Sequence, residues 1–386
     1  MTPRPTVLYY VQHLLGVGHV FRTMRIVSAL VRGGFNVELL HGGERLPHFD
    51  DQGARVHFLP ALSTARGDFS KLIAEDGQIA DEAYRLRRRD MVLKILENCG
   101  PDLVVTEAFP FGRRQMHFEL LPLMEAATSM RPRPKIFASI RDILQEGNKV
   151  SKDRQTVDLL QRYFDGVLVH GDDGLINLSQ TFPFTAEIAE YLHYTGIVTP
   201  QRQTETVARN DQYDVVVSAG GGLLVKELLF AAMEAKAISG LSDKRWCLLT
   251  GPYMDAADRQ RLARSDATVL EFVPDLYRLL LTAQLSISLA GYNTVADIMA
   301  AGCRSIIAPQ WNDKETEQLR RAQLLDARGL AVMLSHEDKT PDALCVAIDR
   351  AMDGKPPDWR SVRQDGAEET LRILRQALQV DGKGSH

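Results

Sequence analysis

The chain has 386 residues, 45% of them hydrophobic and 25% charged, with a formal net charge of −4. That length exceeds one ordinary core and points to two domains, and the acidic balance speaks against a nucleic-acid binder, which carries a basic surplus. No apolar run reaches the roughly 18–20 residues of a membrane span, no signal-peptide core opens the chain, and the four cysteines are scattered without a C-x-x-C pair, so the expectation is a cytoplasmic protein with reduced thiols.

Short β-branched runs alternate with amphipathic stretches, the pattern of parallel βαβ units. In the first half, strands are expected at 7–11 (VLYYV), 36–40 (NVELL), 102–106 (DLVVT), 135–140 (KIFASI) and 166–170 (GVLVH). A helix is expected over 20–32, which has helical spacing and a glycine stop. The turn leading into it reads GVGHVFR and sets His19 and Arg22 beside Gly16 and Gly18. An imidazole there, with an ordinary pKa near 6.5, is either a general base or a helix-start residue bonded to backbone. Arg22 either meets a phosphate or remains a solvated helix residue.

The acidic pairs at 49–51 and 171–173 read as surface turns, because neither has the spacing and partner ligands of a metal site. The stretch 85–96, RLRRRDMVLKIL, joins a basic run to apolar periodicity. It reads as a solvated charged helix face or as a helix lying on anionic lipid, the second implying peripheral contact with the inner face of a membrane. Glu107, ending the strand DLVVT, and Arg141 and Asp142, after KIFASI, sit at the carboxyl edge of the expected sheet. They are the candidates for acceptor contacts, on position alone.

The polar, weakly periodic stretch 198–213 is the expected linker, dividing the chain into domains 1–199 and 200–380. The terminal DGKGSH reads as a disordered tail. The strand pattern then restarts at 214–222 (DVVVSAGGG), followed by a helix over 223–237 and strands at 245–251, 267–272, 284–291 and 304–309. In SAGGG, Ser218 and the glycines Gly220, Gly221 and Gly222 either cradle a phosphate at a helix N-terminus or simply make a tight turn. In SLAGYNTVADIMAAGCRSIIAP (288–309), Asn293 and Thr294 are N-cap candidates, which puts Asp297 in the first helical turn. A carboxylate there is favoured by the helix dipole alone; its functional reading is bidentate acceptance from two ribose hydroxyls. Two doubly wound domains would set their carboxyl-edge loops around a shared cleft.

Ser288, Gly291, Asp297, Ala301-Gly302 and Pro309 follow an order that resembles the donor-binding signature of GT-B glycosyltransferases. The likeness is closest to the N-acetylglucosaminyltransferase family that builds lipid II, and the chain is also similar to bacterial predicted glycosyltransferases sharing PDLVVTEAFPFG and SIRDIL. The resemblance implies an α/β, GT-B architecture: an N-terminal acceptor domain and a C-terminal donor domain, both Rossmann-like. It implies that Phe272 and Val273 flank the nucleotide base, and that Glu317 and Gln318 stand where the family has a Gln-Gln pair at the donor sugar. It places a histidine at the position of His19 beside Gly18.

The function expected is inverting transfer of a sugar from a nucleotide-sugar, a UDP-sugar by resemblance, to the hydroxyl of a lipid-linked or small-molecule acceptor. His19 is the candidate base; neither metal nor cofactor is called for. Two alternatives stay open, a UDP-sugar hydrolase, since GVGHVFR is also similar to the G-x-G-H-x-x-R turn of the hydrolases of pseudaminic acid biosynthesis, and a nucleotide-sugar epimerase. A pure binding module would leave His19 unexplained.

Overall fold

The five residues after Thr6 in the first strand, β1 (Thr6–Val11), are all buried, as a central parallel strand covered on both faces requires. The structure is a computed structural model and describes residues 4–14, 18–46, 49–65, 68–145, 150–201, 212–218, 225–252, 254–310, 316–335 and 339–381. β1 pairs with β2 (Asn36–His41), which pairs in turn with β3 (Arg55–Phe58). The chain next makes an antiparallel hairpin, β4 (Ser63–Ala65) and β5 (Asp68–Ile73), and comes back to the other side of β1 as β6 (Leu103–Glu107). β7 (Lys135–Arg141), β8 (Gly166–His170) and β9 (Leu192–Tyr194) follow, so the parallel sheet runs β3-β2-β1-β6-β7-β8-β9. Strand order reverses between β1 and β6, and such a switch point leaves a crevice at the carboxyl ends of the strands.

Helices α1 (Gly18–Arg32), α2 (Glu82–Cys99), α3 (His117–Ser129) and α4 (Val150–Tyr163) join these strands. α1 begins two residues earlier than expected, so His19 lies in its first turn; Val20, Met24, Val27 and Leu30 form its buried stripe. α2 is capped by Asp81, whose side chain accepts from the Tyr84 N–H at 2.7 Å, and ends at Gly100 with φ of 49°. Neither reading of the basic run fits Arg88, which is fully buried. Its guanidinium donates to both oxygens of Glu119 (2.7 and 2.9 Å), to Gln12 Oε1 (2.6 Å) and to the carbonyls of Gly42 (2.8 Å) and Pro60. A cation enters a core only when its donors are all taken up in this way.

The second unit repeats the plan. Its parallel sheet runs β12-β11-β10-β13-β14-β15, comprising β10 (Val215–Ser218), β11 (Trp246–Leu249), β12 (Thr268–Leu270), β13 (Leu285–Ser288), β14 (Arg304–Ile307) and β15 (Val332–Met333). Helices α5 (Val225–Ile238), α6 (Ala256–Leu262), α7 (Leu276–Leu280), α8 (Tyr292–Ala301), α9 (Glu317–Ala327) and α10 (Pro341–Asp353) cover it. Here the switch point lies between β10 and β13.

The division into units differs from the sequence expectation at the end of the chain. Unit 1 comprises Met1–Val198 and Asp365–His386, and unit 2 comprises Thr199–Gln364. The last helix, α11 (Gly366–Asp381), buries Leu371, Ile373 and Leu374 in the core that also holds Val20, Met24, Val27 and Leu30 of α1. Arg32 bonds Glu368 at 2.7 Å and Arg375 donates to the Gly33 carbonyl at 2.6 Å. A polar linker could be read locally; the return of a distant helix could not. Most of that linker, 202–211, lies outside the described residues.

Candidate active site

At the switch point of unit 1, Val7–Tyr10 of β1 pair with Leu103–Thr106 of β6, and the first turn of α1 comes to the end of β6. There Nδ1 of His19 lies 2.9 Å from Oε1 of Glu107. The same oxygen accepts a hydrogen bond from Nη2 of Arg22, and Oε2 accepts from the Ser139 hydroxyl at 2.8 Å. Glu107 is fully buried and Arg22 nearly so. Burial alone would raise the carboxyl pKa, but the Arg22 guanidinium and the His19 hydrogen bond hold it well below the usual carboxylate range. An ionised carboxylate only accepts, so His19 Nδ1 carries the proton and Nε2 is left as the basic nitrogen. The His19 side chain retains 19% of its exposure, so its ring is open on one side. Desolvation first, then the Arg113 charge, against the Glu107 hydrogen bond, pushes its pKa down to about 3, so the ring is neutral at pH 7.

The sequence candidates in this unit therefore play different parts. His19 is accessible at the edge. Glu107, proposed from position as an acceptor contact, stands behind the histidine with its oxygens engaged by protein groups. Arg22 belongs to the core. Asp142 is buried and accepts from the Ile143 N–H at 2.8 Å, whereas Arg141 is half-buried and its charge acts on His19. Gly18 opens α1, and Gly16 lies outside the described residues. The turn after Glu107 puts two non-glycine residues in the left-handed region, Ala108 at φ 67° and Arg113 at φ 60°. Such backbone costs on the order of 1–3 kcal/mol and clusters at functional sites. Arg113 donates through Nε to the Gln12 carbonyl at 2.9 Å.

At the switch point of unit 2, Ser218 ends β10 and is buried, while Gly220, Gly221 and Gly222 lie outside the described residues. Ser288 ends β13; its Oγ is buried and has no hydrogen-bond partner among the described residues. Gly291, at φ −66° and ψ 143°, is the N-cap of α8, in place of the expected Asn293 or Thr294. Asp297 consequently falls in the second turn, where the dipole offers less, and is buried. The loop before α8 is held from α9. Gln318 Oε1 accepts from the Ala290 and Gln310 N–H groups, each at 3.2 Å, and Arg321 donates to the Ala290 carbonyl at 2.9 Å. Glu317 is buried and accepts from Arg321 at 3.0 Å. Phe272 follows β12 with 54% exposure, a large ring left open to solvent, and Val273 is half-buried.

Residues 215–368 match the family model described as "Glycosyltransferase family 28 C-terminal domain". Over its whole length the chain is similar to the calicheamicin glycosyltransferase CalG4, with a TM-score of 0.63 at 16% identity, covering 99% of this chain and 100% of that one. It is similar to Acinetobacter baumannii MurG with a TM-score of 0.60, also at 16% identity, covering 97% and 100%. The fold is that of a GT-B glycosyltransferase. Among curated proteins, the chain is similar to the UDP-N-acetylglucosamine--N-acetylmuramyl-(pentapeptide) pyrophosphoryl-undecaprenol N-acetylglucosamine transferases. It is 35% identical to that of Tolumonas auensis over 89 residues, 23% of this chain and 25% of the relative, and 24% identical to that of Lactococcus lactis over 67% of each. The chain spans between a quarter and a half of the first of these relatives.

Within this GT-B fold, sequence reading missed the second tier of unit 1. Ser139 also lies 2.9 Å from Nε2 of His170, whose Nδ1 lies 2.9 Å from the Thr195 hydroxyl, and the Tyr9 hydroxyl donates to Ser139 at 3.0 Å. His170 closes the expected strand GVLVH at the same sheet edge as Glu107; a histidine in that place was the available signal. Among the described residues no His, Cys, Asp and Glu group is arranged to hold a metal ion, and no helix is long and apolar enough to cross a membrane.

Proposed function

We propose that the chain transfers a sugar from a UDP-sugar to an acceptor hydroxyl with inversion at the anomeric carbon. The carrying observation is the His19–Glu107 pair: a neutral imidazole, open on one side, whose inner nitrogen is bonded to an ionised carboxylate. In this reading Nε2 of His19 takes the proton of the acceptor hydroxyl as its oxygen bonds to the anomeric carbon and the bond to the UDP oxygen breaks. Glu107 then stabilises the imidazolium, a contribution of the general-base kind worth roughly 10²–10⁴-fold.

Unit 2 supplies the donor side. Asp297 accepts from the ribose hydroxyls, the exposed ring of Phe272 and Val273 take the base, and Ser288, Asn293 and Thr294 lie at or near the N-terminal end of α8, which favours a diphosphate. Gln318, with Oε1 already bonded to two N–H groups, offers its NH₂ to the sugar; Glu317, paired with Arg321, is a support for that loop. Helix and backbone dipoles carry the leaving charge, so the rate is expected to survive a chelator. A lipid-linked acceptor at an anionic membrane surface is the first to try, given the names of the curated relatives.

Incubating the protein with UDP-sugars, with and without acceptors, tests the reading. Transfer to an acceptor, with little turnover before it is added, supports it. Rapid release of free sugar in water would identify a hydrolase, and isomerised nucleotide-sugar an epimerase.

A further inference from the structure

The Ser139 hydroxyl has one proton and two claimants for it, Glu107 Oε2 at 2.8 Å and His170 Nε2 at 2.9 Å. The charged acceptor is the stronger one, since hydrogen bonds to ionised groups are roughly twice as strong as neutral ones. A carboxylate oxygen 2.8 Å from a hydroxyl oxygen also requires the proton between them. Ser139 therefore donates to Glu107, and its lone pairs receive the Tyr9 hydroxyl at 3.0 Å and a proton on His170 Nε2. Neutral His170 then accepts at Nδ1 from the Thr195 hydroxyl at 2.9 Å, the shortest contact of that hydroxyl, with the Gly196 carbonyl at 3.0 Å and the Val169 carbonyl at 3.3 Å as the competing acceptors. The donors all run one way: Thr195 to His170, His170 to Ser139, Ser139 to Glu107. His170 and Thr195 are fully buried, so the competition for the Thr195 proton comes from those two backbone carbonyls alone and not from bulk water.

We infer that Ser139, His170 and Thr195 are positioning residues for His19: this one-directional chain from β7, β8 and the segment after β9 keeps the Glu107 carboxylate facing His19 as a pure acceptor, and so fixes the proton of His19 on Nδ1. If His170 carried its proton on Nδ1 instead, its Nε2 would draw the Ser139 proton away and leave Oε2 facing a lone pair. Glu107 would then turn toward other donors, and the His19 ring would lose its single tautomer. The inference deepens the proposed role of His19 but is read from the ring itself, so it stands or falls separately from any transfer reaction.

The test is long-range ¹H–¹⁵N correlation on protein carrying ¹⁵N-histidine, with the His19 signals assigned by loss in His19→Gln. In the native chain His19 is expected to show a protonated Nδ1 and an unprotonated Nε2. In Ser139→Ala the two shifts are expected to move toward averaged values. Ser139→Thr keeps the hydroxyl and should restore the native pattern. Thr195→Val, nearly isosteric, should shift the signals in the same direction as Ser139→Ala by a smaller amount, and it serves if the alanine variant fails to fold. Where an acceptor is in hand, Ser139→Ala should lower kcat about tenfold with KM little changed. An unchanged His19 tautomer in folded Ser139→Ala or Thr195→Val would overturn the inference. An altered ring in a protein that transfers no sugar would leave the inference intact and remove the proposed function instead.

Discussion

His19 is bonded to Glu107 at Nδ1 while its side chain keeps 19% of its exposure, and that combination gives a side chain of unit 1 its chemistry. Replacing it by alanine removes the proton acceptor while leaving the donor residues of unit 2 untouched. His19→Ala is therefore expected to bind UDP as the native chain does, by titration calorimetry, and to lose at least about tenfold in turnover. Glu107→Gln keeps the shape but puts an amide where the ion was; with the imidazolium no longer balanced, turnover should fall by a comparable factor. Asp297 is tested by the reverse split. Its substitution by alanine is expected to weaken UDP binding several-fold in a chain whose circular dichroism is unchanged. Equal calorimetric affinity for native and variant protein would remove Asp297 from the ribose. His19 could be singled out from the sequence because a histidine directly after two closely spaced glycines, where a strand meets a helix, has few structural duties. Its partner was legible only as a position: nothing in DLVVTEAF tells that the carboxylate turns inward to meet Arg22, His19 and Ser139.

At the scale of elements, the periodicity of buried residues located most sheet strands to within one or two residues, GVLVH at both ends. Of the four sheet edges, β12 was located from its β-branched run, whereas β3, β9 and β15, two to four residues long and largely half-buried, escaped. The start of α8 was misplaced because Asn293 and Thr294 are good caps locally, whereas the break is set at Gly291 by a loop that α9 holds in place. α11 shows the same limit over a longer range. Its first residue, Gly366, sits so close to the chain before the linker that an added Cβ would stand 2.5 Å from the Gly196 carbonyl oxygen and 2.8 Å from the Ile197 backbone. Backbone cannot move aside as a side-chain end can. Gly366→Ala is therefore expected to destabilise unit 1 by about 1–3 kcal/mol, read as a lower urea midpoint of far-UV circular dichroism. Gly33→Ala, whose added Cβ meets the flexible end of Leu371 at 2.5 Å and the Ala29 carbonyl oxygen only at 3.1 Å, should cost less.

On the scale of the whole molecule, two separate cores carry different titratable loads. His13, His41 and His170 are buried in unit 1, and burial holds the first two down to about 4 and the third to about 3. In unit 2 the one histidine of the sequence is His336. An unfolded chain binds a proton on each such ring near pH 6.5, whereas the folded unit resists until the lower values are reached. Stability from these rings is thus fully present above pH 6.5 and falls, by about 1.4 kcal/mol per ring per pH unit, between 6.5 and 4. Glu107, held low by Arg22, adds a further loss as the pH falls through the ordinary carboxylate range and below it. Unit 1 is therefore expected to give way first on acidification. All three tryptophans, Trp246, Trp311 and Trp359, belong to unit 2, so their fluorescence is blind to that event while far-UV circular dichroism reports both units. Between pH 6 and 4 the ellipticity should fall at a higher pH than the tryptophan emission shifts. Coincident curves would mean that the two cores unfold as one cooperative body, and that the buried histidines of unit 1 set the acid limit for the entire chain.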